Sequence, residues 1–208
     1  MGQRGIGILG GSFDPIHTGH LILAEEVLDR CQLERMLFIP SAAPPHKSHH
    51  AMAPAEIRAE MVSLAISGHP AFELSRIELD RPGTSYTVET LEALRRQVGP
   101  DRPLHLVIGT DSAVEMSTWC RPERMMELAC VTVVERPGSD RTSVDAGLAG
   151  RMRFLDTPLL GISSTDIRSR VREGRSVRFL LPDRVAAYVK AHGLYRQTGS
   201  RAGEWADG

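Results

Sequence analysis

Residues Gly10 to Leu21 read GGSFDPIHTGHL, and what flanks this stretch decides what kind of fold contains it. Before it, Ile6 to Leu9 is a short apolar run consistent with a buried strand; after it, Ile22 to Arg30, ILAEEVLDR, has helical spacing. The stretch therefore sits on a strand-to-helix turn, which in an open parallel sheet lies at the carboxyl end of a strand, where ligands bind. Gly10 and Gly11 let the backbone come close to a ligand, and the first N–H groups of the helix point at whatever anion sits there. His17 and His20 are three apart, so in a helical first turn both rings share a face. Two imidazoles beside a helix N-terminus can donate hydrogen bonds to phosphate oxygens. Taken singly, the glycines and histidines also suit a tight turn with a structural metal pair.

Outward from this turn, short strands and helical stretches alternate to the end of the chain. Met36 to Ile39 is a second strand, broken by Pro40 and followed by a loop with Pro44, Pro45, His46 and Lys47. That loop is either a stiff exposed connection or a carrier that brings the Lys47 ammonium, a point charge, over nucleotide phosphates. Residues 54 to 67 place Ile57, Met61, Leu64 and Ala65 on one stripe, with Pro54 at the start and Gly68 and Pro70 past the end. A third strand covers Phe72 to Leu74, Pro82-Gly83 turns the chain, and a helix begins near Thr87 with Thr87, Glu89 and Thr90 as helix-start chemistry.

Pro103 to Gly109, PLHLVIG, is the clearest buried strand. Asp111, just beyond it, suits a helix cap or a carboxylate that accepts from ribose or holds a magnesium ion. Cys130 to Val134 is a further buried strand, and Arg136 in the turn after it serves the surface or a substrate phosphate. Arg153 to Leu155 is a short strand. Ser163, Ser164 and Thr165 are N-cap types, so one of them caps a helix from about Asp166 to Glu173. Leu181 to Leu194 is a last helix, begun by Pro182-Asp183 and ended at Gly193.

This alternation predicts an α/β fold, Rossmann-like and doubly wound, with a mostly parallel sheet and a helical C-terminal end. Residues 1–195 are expected to form a single domain and 196–208 a loose polar tail. A chain of 208 residues can bury one sizeable core. Its 25 basic against 26 acidic side chains argue against a broad nucleic-acid surface. Three widely spaced cysteines without a CxxC pattern argue against a disulfide framework or zinc site and point to a reducing cytoplasm. No run approaches the length of a membrane span, and the N-terminal apolar run is too short for a signal peptide. No GxSxG elbow and no cysteine with a companion base suggests a covalent nucleophile.

GxFxPxHxGH fixes six positions in ten residues and resembles the signature of the nucleotidyltransferase superfamily, whose HxGH box binds the triphosphate of ATP or CTP. The run ISSTDIR, Ile162 to Arg168, resembles the second phosphate box of that superfamily, which lies opposite the first. The resemblance implies phosphate contacts from His17, His20 and Arg168. It also implies ATP contacts from Gly10, Gly11, Ser12, Phe13 and Gly19 in the first box, and from Ile162, Ser163, Ser164 and Thr165 in the second.

Three middle strings, PPHK, SYTVETL and GTDSAVEMSTW, resemble the bacterial nicotinate-nucleotide adenylyltransferases. That resemblance puts Lys47 over the ATP phosphates, with His17, His20 and Arg168 completing the catalytic set. It gives the pyridine carboxylate to Tyr86 and Thr87, Thr87 foremost, and the nucleotide to Gly109 and Asp111. It stacks Trp119 on the nicotinate ring and adds Ser12 and Arg136 to the substrate contacts. Cys120 stands where the family commonly has Tyr, so backbone contacts carry over there and an aromatic contact does not.

The implied reaction is direct transfer of the adenylyl group of ATP, with Mg2+, to nicotinate mononucleotide, giving deamido-NAD and pyrophosphate. No protein-held metal site is implied. Pantetheine-phosphate adenylyltransferases share both boxes but lack the Asp-to-Trp string. A tRNA synthetase fragment would need a KMSKS-like loop. A non-catalytic nucleotide sensor would have lost one of the phosphate donors. Oligomeric state is not written in these residues.

Overall fold

The apolar runs become strands buried on both faces, which is why they read as continuous rather than alternating. The computed structural model describes residues 3–42, 52–135, 140–158 and 161–196. Its strands are β1 (Ile6–Gly11), β2 (Arg35–Pro40), β3 (Phe72–Leu74), β4 (Leu104–Gly109), β5 (Cys130–Val134) and β6 (Arg153–Leu155). They lie side by side in the order β3-β2-β1-β4-β5-β6, and every ladder between them is parallel. The strand order reverses between β1 and β4, and at such a switch point a crevice opens beyond the carboxyl ends of the strands. The GGSFDP turn leaves β1 at that edge and Gly109 ends β4 beside it.

The helices are α1 (Thr18–Arg30), α2 (Ala55–Ile66), α3 (Thr87–Val98), α4 (Thr110–Glu115), α5 (Pro122–Leu128), α6 (Ala146–Ala149), α7 (Ser164–Arg172) and α8 (Asp183–Ala191). Successive strand residues point to opposite faces, so each strand feeds two cores. On one face Leu9, Phe38, Val107 and Val134 pack with Val27 of α1, Met61 of α2, Ile167 of α7 and Val185 of α8. On the other, Ile8, Ile39, Leu106 and Val133 pack with Leu91 of α3, Ala113 of α4 and Met125 of α5. Chain-distant α1 and α7 thus share one layer, which brings both phosphate-box sequences to one side of the sheet.

Several boundaries differ from the sequence expectation. The first helix starts at Thr18, four residues ahead of the ILAEEVLDR stretch that marked it, so Gly19 and His20 stand in its opening turn and His17 is its N-cap. The second-box helix starts at Ser164 rather than Asp166, and Ser163 caps it by accepting the Asp166 N–H at 3.1 Å. The last helix is shorter than Leu181 to Leu194, ending at Ala191. The expected start chemistry of α3 is not used for capping: its N-cap is Tyr86 with no side-chain bond, and Thr90 turns its hydroxyl to Glu78 at 2.8 Å. A hydroxyl at Thr87, already inside the helix, cannot reach back to cap it. Lys47, Arg136 and residues 197–208 of the expected tail lie outside the described residues.

Candidate active site

The first box is held by its own backbone geometry. Phe13 has a positive φ of 48° and is 1% exposed, so its ring is folded under the loop, edge-on to His20 with centroids 5.1 Å apart. His17 is the extended N-cap of α1 and His20 is its third helical residue. The rings therefore meet by capping geometry rather than by sharing a helical turn, and they stack with centroids 3.7 Å apart. The His17 backbone N–H donates to His20 Nδ1 at 3.2 Å. An acceptor at Nδ1 places the proton of a neutral imidazole on Nε2, which makes the far side of His20 a hydrogen-bond donor. Gly19 is set by close approach: a Cβ there would lie 3.1 Å from His17 Nδ1 and 3.6 Å from Ile162 Cβ.

The second box is bolted onto the first. Ser164 Oγ donates to the Pro15 carbonyl at 2.9 Å, and Arg168 Nη1 donates to the Asp14 carbonyl at 2.7 Å. Arg168 Nη2 also donates to Thr165 Oγ1 at 3.3 Å. These bonds close a cavity of roughly 630 Å³ lined by Gly10, Gly11, Ser12, Phe13, His17 and His20 on one side. Ile162, Ser163, Ser164, Thr165 and Arg168 line it on the other, and Gly109 and Trp119 lie at its edge. Imidazole, hydroxyl and guanidinium donors facing one space suit a polyanion such as a triphosphate.

Two residues that the sequence reading passed over support this arrangement. Arg58 of α2 is 1% exposed and donates to the carbonyls of Ser12 at 2.6 Å, Ser41 at 2.7 Å and Ala53 at 3.0 Å. It fixes the loop after β1 to the end of β2. Burial pulls its guanidinium below the ordinary arginine range, and nearby Asp14 opposes that pull. Tyr195, just past α8, donates its hydroxyl to Asp14 Oδ1 at 2.7 Å, and that oxygen also accepts the Ala53 N–H at 3.2 Å. Burial first, then the bond to Asp14, pushes the Tyr195 phenol well above its usual value. A lone arginine among Ile57, Ala59, Met61 and Val62 was a signal for Arg58; nothing local marks Tyr195.

A second cavity of roughly 220 Å³ adjoins the first and shares Gly10, Gly11, Ser12, Val107, Ile108 and Trp119 with it. Its walls are apolar, from Ile8, Ile39, Leu91 and Leu106, and its polar groups are few: Ser41, Glu78, Ser85, Thr87 and Thr90 beside Ser12. Thr87 therefore faces this cavity, whereas Tyr86 is 40% exposed and is not among its lining residues. Asp111 is exposed in the first turn of α4, where Ser112 lines the larger cavity instead. Cys120, following Trp119, is exposed.

Glu78 was also missed by the sequence reading. It is 8% exposed, and burial pushes its carboxyl above the ordinary range, with Thr90, Ser85 and Arg81 pulling the other way. For a divalent cation, the described residues offer no cluster of three or more His, Cys, Asp or Glu side chains. Among the described residues Asp14 is the only carboxylate lining the larger cavity, and one of its oxygens already accepts two bonds.

Known proteins resemble this chain in sequence and in fold. Residues 8–170 match the family model described as Cytidylyltransferase-like. A Roseiflexus sp. (strain RS-1) protein named "Probable nicotinate-nucleotide adenylyltransferase" is 45% identical over 201 residues, spanning 94% of this chain and all of that one. A Thermus thermophilus protein of the same name is 46% identical over 191 residues, spanning 92% of this chain and 99% of that one. Among solved structures, Plasmodium falciparum nicotinic acid mononucleotide adenylyltransferase complexed with NaAD superposes with a TM-score of 0.77 at 16% identity. That superposition covers 93% of this chain and 98% of the other, and at such identity it speaks to the fold.

Proposed function

Because the chain belongs to the cytidylyltransferase-like family and, within it, to the nicotinate-nucleotide adenylyltransferases, we propose that it transfers the adenylyl group of ATP to nicotinate mononucleotide. The products are deamido-NAD and pyrophosphate. The observation that carries this reading is the pair of adjoining cavities. One is rimmed by phosphate donors from both boxes, the other is small, apolar and edged by Thr87 and Trp119, and they meet at Gly10, Gly11 and Ser12. A nucleoside triphosphate and a pyridine nucleotide placed in them would bring their phosphates together at that junction.

The chemistry is displacement at the α-phosphorus. A phosphate oxygen of the mononucleotide attacks, the bond to the bridging oxygen breaks, and pyrophosphate leaves in line. Such a reaction asks the protein for positioning and for stabilisation of charge on the departing oxygen. His20 presents its Nε2–H to a phosphate oxygen, and His17 flanks it. Arg168, anchored to Asp14, aims its remaining N–H groups at the pyrophosphate, and Lys47 supplies a further cation. A magnesium ion brought in with the ATP would supply further neutralisation of phosphate charge.

Thr87 receives the ring substituent and Trp119 stacks on the ring. Neither a pantetheine acceptor nor a sensor without turnover draws support from the curated relatives. A cytoplasmic location belongs to the same reading, supported by three free cysteine thiols. No helix of the described residues is long and apolar enough to cross a membrane.

Pyrophosphate release with ATP and magnesium, compared across nicotinate mononucleotide, nicotinamide mononucleotide and phosphopantetheine, tests the proposal. Release is expected with nicotinate mononucleotide first. Turnover confined to phosphopantetheine would overturn it.

A further inference from the structure

The small cavity contains a group for which the reaction above has no use. Among the described residues that line it, Glu78 alone is titratable. Its Oε1 accepts the Thr90 hydroxyl at 2.8 Å, and Arg81 Nη2 reaches that same hydroxyl at 3.3 Å from behind. Arg81 is in turn 3.8 Å from the Glu89 carboxylate, so its charge is shared. The other elements packed around the cavity bring no charge to it: β1 contributes Ile8, Gly10 and Gly11, β2 contributes Ile39, and β4 contributes Leu106 to Ile108. Trp119 closes the remaining side. A carboxyl group held in a mostly apolar chamber, with no cation among the described residues of its wall, cannot stay ionised cheaply beside a second negative charge.

We propose that Glu78 sets the selection between the acid and amide forms of the pyridine nucleotide, by sharing one proton with an anionic ring substituent that enters beside Thr87. This rests on the substrate reading given above. When the carboxylate of nicotinate mononucleotide enters, one proton is taken from solvent and held by the pair of carboxyl groups, so that the chamber carries one negative charge and not two. The amide of nicotinamide mononucleotide brings no charge and needs no proton. Acid and amide are thus separated by a proton, and the preference for the acid form weakens as pH rises.

Isothermal calorimetry of the intact chain, wild type and Glu78→Gln, tests this. Each mononucleotide is titrated in two buffers of different ionisation enthalpy, over a pH range that starts near the ordinary carboxyl value of 4.5 and runs upward, the direction in which burial moves this group. Both ligands carry the same phosphate, so its protonation cancels in the comparison. The acid form is expected to take up as much as about one proton more than the amide within that range, and the excess is expected to vanish in Glu78→Gln. The glutamine carbonyl can still accept from Thr90, which keeps the loop in place.

In kinetics, the ratio of KM for the acid to KM for the amide should climb with pH in the wild type and stay flat in the variant. Equal proton uptake for the two ligands at every pH would overturn the proposal, as would an excess that persists in Glu78→Gln. Absence of binding by either mononucleotide, with turnover on phosphopantetheine, would instead remove the substrate reading beneath it.

Discussion

Arg168 and Asp14 are 154 positions apart in the chain, and a guanidinium N–H of the first donates to the carbonyl oxygen of the second at 2.7 Å. The bond ties the second phosphate box to the loop of the first, while Thr165 accepts from a second N–H of the same fork. The side chain proposed to hold the pyrophosphate is thus also the one that ties the two boxes together.

Replacing Arg168 by Lys keeps a positive charge but loses the planar fork that serves Asp14 and Thr165 and, in the proposed reaction, a phosphate as well. The kcat/KM for ATP should fall about a hundredfold or more, with a smaller change in thermal stability. Steady-state pyrophosphate release and a melting curve measure both. Activity within a few-fold of wild type would show that point charge alone suffices.

Gly19→Ala pushes a methyl group toward His17, whose Nδ1 would lie 3.1 Å from the new carbon, and toward Ile162. The ring must move by a few tenths of an ångström, which shifts it against His20 and out of its set position. Alanine suits a helix better than glycine, so stability should hold or rise slightly while kcat drops at least about tenfold. A fall in melting temperature with unchanged kcat would contradict this.

Arg58→Met removes donors from three carbonyls at the loop crossing and fills part of the space with an apolar chain. Each buried carbonyl left without a partner costs about 1 kcal/mol or more, so the loss should reach at least about 3 kcal/mol. For a chain of this size that corresponds to a drop of roughly 6–12 °C in melting temperature. Differential scanning calorimetry reads it directly, and a shift under about 2 °C would mean that water replaces the guanidinium.

Glu78 also makes a prediction in the absence of ligand. Burial raises its carboxyl above the ordinary value of 4.5, so the folded chain retains a proton that the unfolded chain has released. The stability this gives is complete below about 4.5 and declines as pH rises through the folded value. Glu78→Gln has no proton to lose. The difference in urea midpoint between variant and wild type should therefore move in favour of the variant as pH is raised over an interval that starts at about 4.5. A difference that stays constant over that interval would refute the linkage.

The sequence was most legible where a residue's role depends on near neighbours. Ile6 to Leu9 followed by glycines marked β1 and its turn, and the run Ser163 to Thr165 marked the cap of α7, which Ser163 makes. It was least legible where a role depends on what lies across the fold. Asp14 reads as one acid in a turn, yet it collects Tyr195 and the Ala53 N–H from distant segments. Thr90 reads as helix-start chemistry, yet its hydroxyl is spent on Glu78, because a buried carboxyl twelve positions earlier outcompetes the backbone for it.

What the amino acids alone determined is the period of the apolar runs, the strand-to-helix turns and the residue types able to grip phosphate, because these follow from local sterics and chemistry. Tertiary structure alone decided that α1 and α7 share a layer and that Arg58 and Glu78 are buried. It alone decided that two cavities meet at Gly10 to Ser12. Those facts depend on strand order and on packing between residues far apart in the chain, which no local pattern encodes.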